Sequence, residues 1–389
     1  MKCDVAIIGA GPSGLLLGLL LRQAGLEPVV LERRSKEYVL GRIRAGVLEK
    51  VTTNLIDRLD LGERMHAEGL VHDGFNLADG ERLIRIDLEE LTGETVMVYG
   101  QSEVQRDLID ACPKRGLEVI WEADGVALHD IDSDAPSVTY LDNGVEKTLE
   151  PRFVAGCDGF HGPSRQAFPE AIGRPHEKVY PFGWLGILSD VPPCNDELIY
   201  ASHENGFALA SMRSMTRSRY YIQVPLDTKI EDWPDDRIWD ELAARLGPEV
   251  ASHISRGPSI EKSVAPLRSF VFEPMRHGRL FLAGDASHIV PPTGAKGLNL
   301  AASDIIYLAE ALISALKSSD ENGLDGYSAR ALNRIWKSER FSWYLTSLMH
   351  RFPEHSSFER EMQCSELDYI ANSRAAQTAI AENYIGLPL

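Results

Sequence analysis

The chain has 389 residues, 44% hydrophobic and 25% charged, which is the profile of a globular protein of two or three domains at roughly 150 residues each. Lys and Arg total 40 against 58 Asp and Glu, a formal net charge of −18. That balance disfavours nucleic acid and anionic membrane as partners, and any anion must find a local basic pocket.

The five cysteines, Cys3, Cys112, Cys157, Cys194 and Cys364, are odd in number, and no pair is spaced C-x-x-C. No H-E-x-x-H frame occurs either. A disulfide framework, a zinc ribbon, a dithiol centre and a zincin site are therefore unsupported. Reduced thiols in a cytoplasmic protein without a metal are expected.

Lys2 and the apolar stretch through Leu21 have the outline of a secretory leader, but Asp4, Pro12, Ser13 and Arg22 interrupt it. No small-residue cleavage site follows, and the run is too short to span a membrane. It reads instead as a strand and a helix. Val5-Ala6-Ile7-Ile8 is apolar at every position, as in a strand buried on both faces of a parallel sheet. Gly9-Ala10-Gly11-Pro12-Ser13-Gly14 completes a G-x-G-x-x-G, a helix runs from about Ser13 to Ala24, and a second strand, Pro28 to Leu31, ends at Glu32. In this setting Gly9 permits the turn, Gly11 lets backbone approach a pyrophosphate, and Gly14 permits close helix–strand packing. The helix start offers free N–H groups to phosphate, and Glu32 offers acceptors to ribose hydroxyls. A glycine turn that binds nothing is the ordinary alternative, and the flanking strand, helix and acid outweigh it. The motif alone does not separate FAD from NAD(P).

From about Tyr180 to Leu226 the chain turns Tyr-rich and alternating, as in antiparallel sheet. Alternation puts Leu209, Ser211 and Arg213 on one strand face and Arg219, Tyr221 and Gln223 on the next, so a hairpin gathers Ser211, Arg213 and Tyr221 into one patch. An Arg fork with two hydroxyls matches a carboxylate, although on residues alone a solvated basic edge is the commoner outcome. A strand at Leu280 to Ala283 then leads to a helix starting near Gly297, and the chain is mostly helical to about Ile380. The expected organisation is α/β: a Rossmann-like dinucleotide domain over 1–174, an antiparallel substrate domain over 175–277 and a helical region over 278–389.

Two further blocks choose the dinucleotide. They are Gly156-Cys157-Asp158-Gly159-Phe160-His161-Gly162 and Leu282-Ala283-Gly284-Asp285-Ala286-Ser287-His288 with Pro291 to Asn299 behind it. With the N-terminal motif, in this order, they resemble the single-component flavoprotein aromatic hydroxylases. The resemblance covers nearly the whole chain and is most specific at Val39–Glu49, Val179–Gly186, Thr216–Tyr221, Pro291–Asp304 and Ile380–Pro388. It implies non-covalent FAD reduced by NADPH, with NADH possible, and dioxygen added at the flavin C4a as a hydroperoxide that a substrate phenolate attacks. The implied substrate is a 4-hydroxybenzoate-like aromatic carboxylate, and the implied assembly is a homodimer.

The same resemblance assigns residues. FAD falls to Gly9, Gly11, Ser13, Gly14, Glu32, Arg33, Arg42, Arg44, Gln101, Asp158, Arg219, Asp285, Gly297, Leu298 and Asn299. NADPH falls to Arg33, Tyr38, Arg42, Arg44, His161 and Arg268. Ser211, Arg213 and Tyr221 take the substrate carboxylate, Pro292 and Thr293 shape its pocket, and Lys296 and Asn299 stabilise negative charge around the reduced flavin. Tyr200, Tyr384 and His72 form a relay carrying the phenol proton to solvent, with His72, the side chain that ordinarily titrates near neutrality, at the exit. Taken singly, each of these three is more simply a core or surface residue.

Three alternatives stay open: the same chemistry on 3-hydroxybenzoate, salicylate, an aminobenzoate or a dihydroxybenzoate; a flavin-free NAD-dependent dehydrogenase; and a non-catalytic flavin-binding redox protein. Met212 departs from the expected pocket pattern, and the segment Arg33 to Tyr38 is where cofactor preference varies within the family.

Overall fold

The computed structural model describes residues 1–41, 46–80 and 82–389. At its centre, strands Leu280–Leu282, Val145–Gly156, Lys2–Ile8, Pro28–Glu32 and Glu118–Trp121 lie side by side, each pair parallel. Their apolar runs follow from burial on both faces. Helix Pro12–Gln23 crosses between the first two strands in sequence, and it is buried from Gly14 through Leu21. It lies against the long helix Gly297–Ser318 as well as the sheet, where Gly18 meets Leu117 and Val30. A helix covered on both sides has no face to give to water. This explains its leader-like composition.

Gly297–Ser318 is itself long and apolar enough to cross a membrane, yet 78% of its apolar window is buried in the protein. It packs between Pro12–Gln23 and helix Asn322–Met349 as a core helix.

The second sheet runs in the order His288–Ile289, Ser259–Glu273, Arg174–Ser189, Arg217–Pro225, Gly206–Ser214, Ile199–His203, Gly74–Asp79, Arg82–Asp87. It is antiparallel except where Ile199–His203 pairs with Gly74–Asp79. One face, with Ala210, Tyr220 and Ile222, packs on Trp239 and Leu242 of helix Asp235–Leu246. The other, with Phe75, Tyr200 and Leu209, packs on Phe341, Leu345 and Tyr384 of the C-terminal helices. Those helices, Asn322–Met349, Ser357–Asn372 and Arg374–Ile385, fill the region expected to be helical.

The expected boundary at residue 174 does not divide the sheets. Strands Gly74–Asp79 and Arg82–Asp87 leave the N-terminal segment to form the edge of the second sheet. Local alternation identifies a strand but says nothing of which sheet it joins, because pairing here is made across 123 residues, as in Asn76 to Ile199.

Candidate active site

A cavity of about 500 Å³ lies at the carboxyl ends of the parallel strands, within the size range of ligand sites. Gly9, Gly11 and Ser13 form one wall, Glu32, Arg33 and Tyr38 a second, and Asp158, Asp285, Gly297 and Leu298 a third. Gly9 has φ +103°, and a Cβ there would stand 2.4 Å from the Cys157 carbonyl oxygen. Gly11 is different: a Cβ would meet nothing within 4 Å, so its backbone is open to the cavity. Glu32 is held by two backbone N–H groups, Ala10 to Oε2 at 2.9 Å and Arg34 to Oε1 at 2.8 Å, and each oxygen keeps acceptor capacity.

Helices Pro12–Gln23 and Gly297–Ser318 both begin at this cavity, and neither has a side chain capping its first N–H groups. Asp158 accepts from the Ser164 N–H at 2.8 Å, while its Oδ1 is buried without a partner among the described residues, and burial raises its pKa. Open helix starts, a Cβ-free approach and carboxylates on opposite walls fit a dinucleotide with ribose and ribityl hydroxyls. Gln101 lines the same cavity, and so does Gln105, one helical turn further on. Gln105 donates to the Ala10 carbonyl at 2.8 Å and leaves Oε1 buried and unpaired. The sequence reading missed Gln105; its i, i+4 spacing from Gln101 was the available signal.

Of the residues expected to take the nicotinamide nucleotide, Arg33, Tyr38 and His161 line the cavity. Arg34 covers the Tyr38 ring at 5.0 Å. Arg268 covers the Phe160 ring at 4.4 Å and pairs with Glu177 at 3.2 Å. Arg42 and Arg44 lie outside the described residues.

Across the second sheet, strand register aligns Tyr200 with Leu209, Leu209 with Tyr221, and Tyr221 with Gly186. These residues share one face. Ser211 stands opposite Arg219 in the next row of that face. A Cβ at Gly186 would lie 2.8 Å from Arg219 Nη2 and 2.9 Å from the Tyr221 ring, so glycine there makes room for both. Arg219 is buried, with Nη1 3.2 Å from Glu261 and Nη2 donating to Ser263 at 3.1 Å.

The expected Ser211–Arg213–Tyr221 patch needs one correction. Ser211 donates its hydroxyl to the Arg219 carbonyl at 2.7 Å, so that proton serves the sheet. A register shift between Met212 and Ser214 sets Arg213 out of simple alternation. Arg213 Nη1 donates to the Met212 carbonyl at 2.9 Å, while Nε and Nη2 are buried with no partner among the described residues. Burial pulls the Arg213 pKa down, opposed by the Tyr221 hydroxyl beside it. A buried guanidinium with two unsatisfied donors is suited to a carboxylate.

Tyr200 and Tyr384 are brought together, hydroxyl to hydroxyl at 3.0 Å, both buried, with Phe75 stacked on Tyr384 at 4.1 Å. Burial pushes the Tyr200 pKa up to about 12. His72 does not match its expected role at the solvent end. It is 2% exposed, both ring nitrogens lack partners among the described residues, and burial pushes its pKa down to about 4. It is therefore neutral at neutral pH and joined to Tyr384 by no direct hydrogen bond among the described contacts.

Lys296 and Asn299 line or border the cavity but are committed elsewhere. Lys296 Nζ donates to Glu49 Oε1 at 2.7 Å and to the Tyr384 carbonyl at 2.8 Å. Asn299 donates to the Val47 carbonyl and accepts from Glu49 N–H and Thr52 Oγ1. In the structure Asn299 holds residues 47–52, and Lys296 ties Glu49 to the Tyr384 backbone. Pro292 lines the cavity, and Thr293 is buried, accepting from Thr346 Oγ1 at 2.9 Å.

The FAD binding domain family matches residues 2–342 of this chain. A p-hydroxybenzoate hydroxylase of Acinetobacter baylyi is 55% identical over 389 residues, covering 100% of this chain and 96% of that relative. A rifampicin monooxygenase of Streptomyces venezuelae is 28% identical over 84% of this chain and 67% of its own length. Among solved structures, p-nitrophenol 4-monooxygenase from Pseudomonas putida superposes with a TM-score of 0.83 at 19% identity, with 100% of each chain covered.

Proposed function

The chain belongs to the FAD binding domain family and, within it, to the p-hydroxybenzoate hydroxylases, and from that premise we propose that it converts 4-hydroxybenzoate to 3,4-dihydroxybenzoate. It is an FAD-dependent aromatic monooxygenase. One oxygen atom of dioxygen enters the ring beside the phenol, the other leaves as water, and NADPH supplies the two electrons. Bound FAD supplies the activation of dioxygen, chemistry that no amino-acid side chain provides.

The chain's own residues bind, orient and exclude water. The observation that carries the reading is a pair of chemically opposite ends on one sheet face. Arg213 carries two buried, unpaired donors, and Tyr200 lies beyond Leu209 with its hydroxyl on Tyr384. Arg213, with Tyr221 beside it, takes the carboxylate. Tyr200 holds the phenol oxygen, and the Tyr200–Tyr384 pair stabilises its ionised form by hydrogen bonding, which favours attack from the ring. Glu32, Asp158 and Asp285 take ribose and ribityl hydroxyls, and the two helix starts take phosphate and the electron-rich flavin edge. Arg33, Tyr38 and His161 are suited to the reductant's phosphates.

The test is direct. The purified protein, in air with NADPH and 4-hydroxybenzoate, should yield close to one 3,4-dihydroxybenzoate per NADPH oxidised. NADPH loss accelerated by 4-hydroxybenzoate without product would move the reading to another ring isomer, and a colourless protein would remove the flavin.

A further inference from the structure

Behind Tyr384 lies a buried charge cluster that the chemistry above does not use. Arg334, on helix Asn322–Met349, is 6% exposed, and with it are buried Glu49 at 2% and Lys296 at 3%. Glu49 accepts from both cations, Lys296 Nζ on Oε1 at 2.7 Å and Arg334 Nη2 on Oε2 at 3.3 Å. Two cations on one carboxylate is a costly arrangement for a protein interior.

Both cations also reach the C-terminal segment. Lys296 donates to the Tyr384 carbonyl at 2.8 Å, and Arg334 Nη1 donates to the carbonyls of Leu387 and, at 3.1 Å, Pro388. Between those anchors, Gly386 has φ +97°, and a Cβ there would stand 1.9 Å from Glu49 Oε2. The chain is therefore fastened on both sides of Gly386 to two cations that share a single carboxylate. No residue larger than glycine fits that approach without displacing it.

We propose that Arg334 is a positioning residue for hydroxylation: by clamping residues 387–388 against Glu49, it fixes the backbone that sets the Tyr384 hydroxyl on Tyr200. This rests on the role given to the tyrosine pair under the proposed function. The charged groups around Tyr384 are Glu49, with Lys296 and Arg334 paired to it, and Glu197.

The experiment compares the parent holoenzyme with Arg334→Gln, Arg334→Lys, Gly386→Ala and Tyr200→Phe. FAD content, the fraction of bound 4-hydroxybenzoate present as phenolate across pH (by ultraviolet difference spectra) and product formed per NADPH are measured. Arg334→Gln and Gly386→Ala should keep FAD, raise the pH of half-ionisation of the bound phenol by about one unit and lower product yield several-fold. Arg334→Lys should recover part of both. Gly386→Ala removes no charge, so its shift reports position. A shift in Arg334→Gln alone would make the effect one of charge and overturn the proposal. So would parent behaviour in both variants while Tyr200→Phe shifts. A parent that forms no product from 4-hydroxybenzoate would sink the functional reading itself, a result that needs no variant.

Discussion

The hydroxyls of Tyr200 and Tyr384 stand 3.0 Å apart although 184 residues separate them in the chain. Tyr200 sits mid-strand at the sheet, and Tyr384 comes from the last helix, Arg374–Ile385. Burial keeps both protonated at neutral pH, with Tyr200 pushed up to about 12. The pair can therefore donate to an ionised phenol without itself losing a proton.

Tyr200→Phe should lower the rate of product formation by about 100-fold, the loss of one hydrogen bond to a charged oxygen worth about 2.7 kcal/mol. Tyr384→Phe should do the same while leaving the binding of 4-hydroxybenzoate nearly unchanged. Stopped-flow measurement of the hydroxylation step, with substrate titration by absorbance, checks both. A wild-type rate in either variant would remove the pair from the chemistry.

Arg213 makes a prediction of opposite sign for stability and function. Its Nε and Nη2 are buried with no partner among the described residues, so the ligand-free protein carries a guanidinium with two unsatisfied donors. Arg213→Met should weaken 4-hydroxybenzoate binding by about 100-fold, equivalent to about 3 kcal/mol for a charged hydrogen-bond partner. The same change should raise the melting temperature of the ligand-free protein by a few degrees, because an unpaired buried cation is replaced by apolar volume. Calorimetry with and without substrate reads both effects. A fall in melting temperature would mean that Arg213 is satisfied in the free protein.

Gly9 and Gly11 belong to one motif and should fail differently. Gly9→Ala meets positive φ and the Cys157 carbonyl together, so it should destabilise the fold by about 2 kcal/mol and lose FAD as a consequence. Gly11→Val enters open space on the cavity side, so its fold should survive with FAD lost. Flavin absorbance after gel filtration, set beside thermal melting of the apoproteins, separates the two. Equal destabilisation by both changes would refute the distinction.

Glu339 provides the pH dependence. Burial raises its pKa from 4.5 to about 7, with Ser269 and His288 opposing, and its Oε1 is unpaired. A raised folded-state pKa means that the native chain holds a proton which the unfolded chain releases above 4.5. The stabilisation is complete below that value and is lost as pH rises through about 7. Glu339→Gln removes that loss. It should be more stable than the parent at pH 8 by up to about 3 kcal/mol, and nearly equal to it at pH 5. Urea melts at the two pH values decide, and a difference that does not change with pH would show that Glu339 does not titrate in this range.

His72 and His350 act in the other direction. Burial pushes their pKa values down to about 4 and about 3, so they stay neutral in the native chain while the unfolded chain takes up protons below about 6.5. Stability from these two is present above that value and is lost as pH falls. His72→Phe should flatten the acid limb of a stability–pH curve between pH 6.5 and 4 relative to the parent. An unchanged limb would place the acid sensitivity elsewhere.

Signals of short range were legible in the residues alone. The apolar strand, glycine turn, helix and acid from Val5 to Glu32 are consecutive, and backbone sterics with hydrophobic periodicity specify each one locally. The hairpin at 206–225 and the helix starting at Gly297 were legible for the same reason. What tertiary structure decided was which distant groups share a space. Strands 74–79 and 82–87 join the second sheet because their apolar face finds Phe182, Leu209 and Tyr384 there. His72 becomes a buried neutral group because the fold covers it, and Lys296 is claimed by Glu49, a residue that a sequence pattern presents as one acid among 58. Desolvation and ion pairing depend on everything packed around a group, and a linear pattern carries no record of those neighbours.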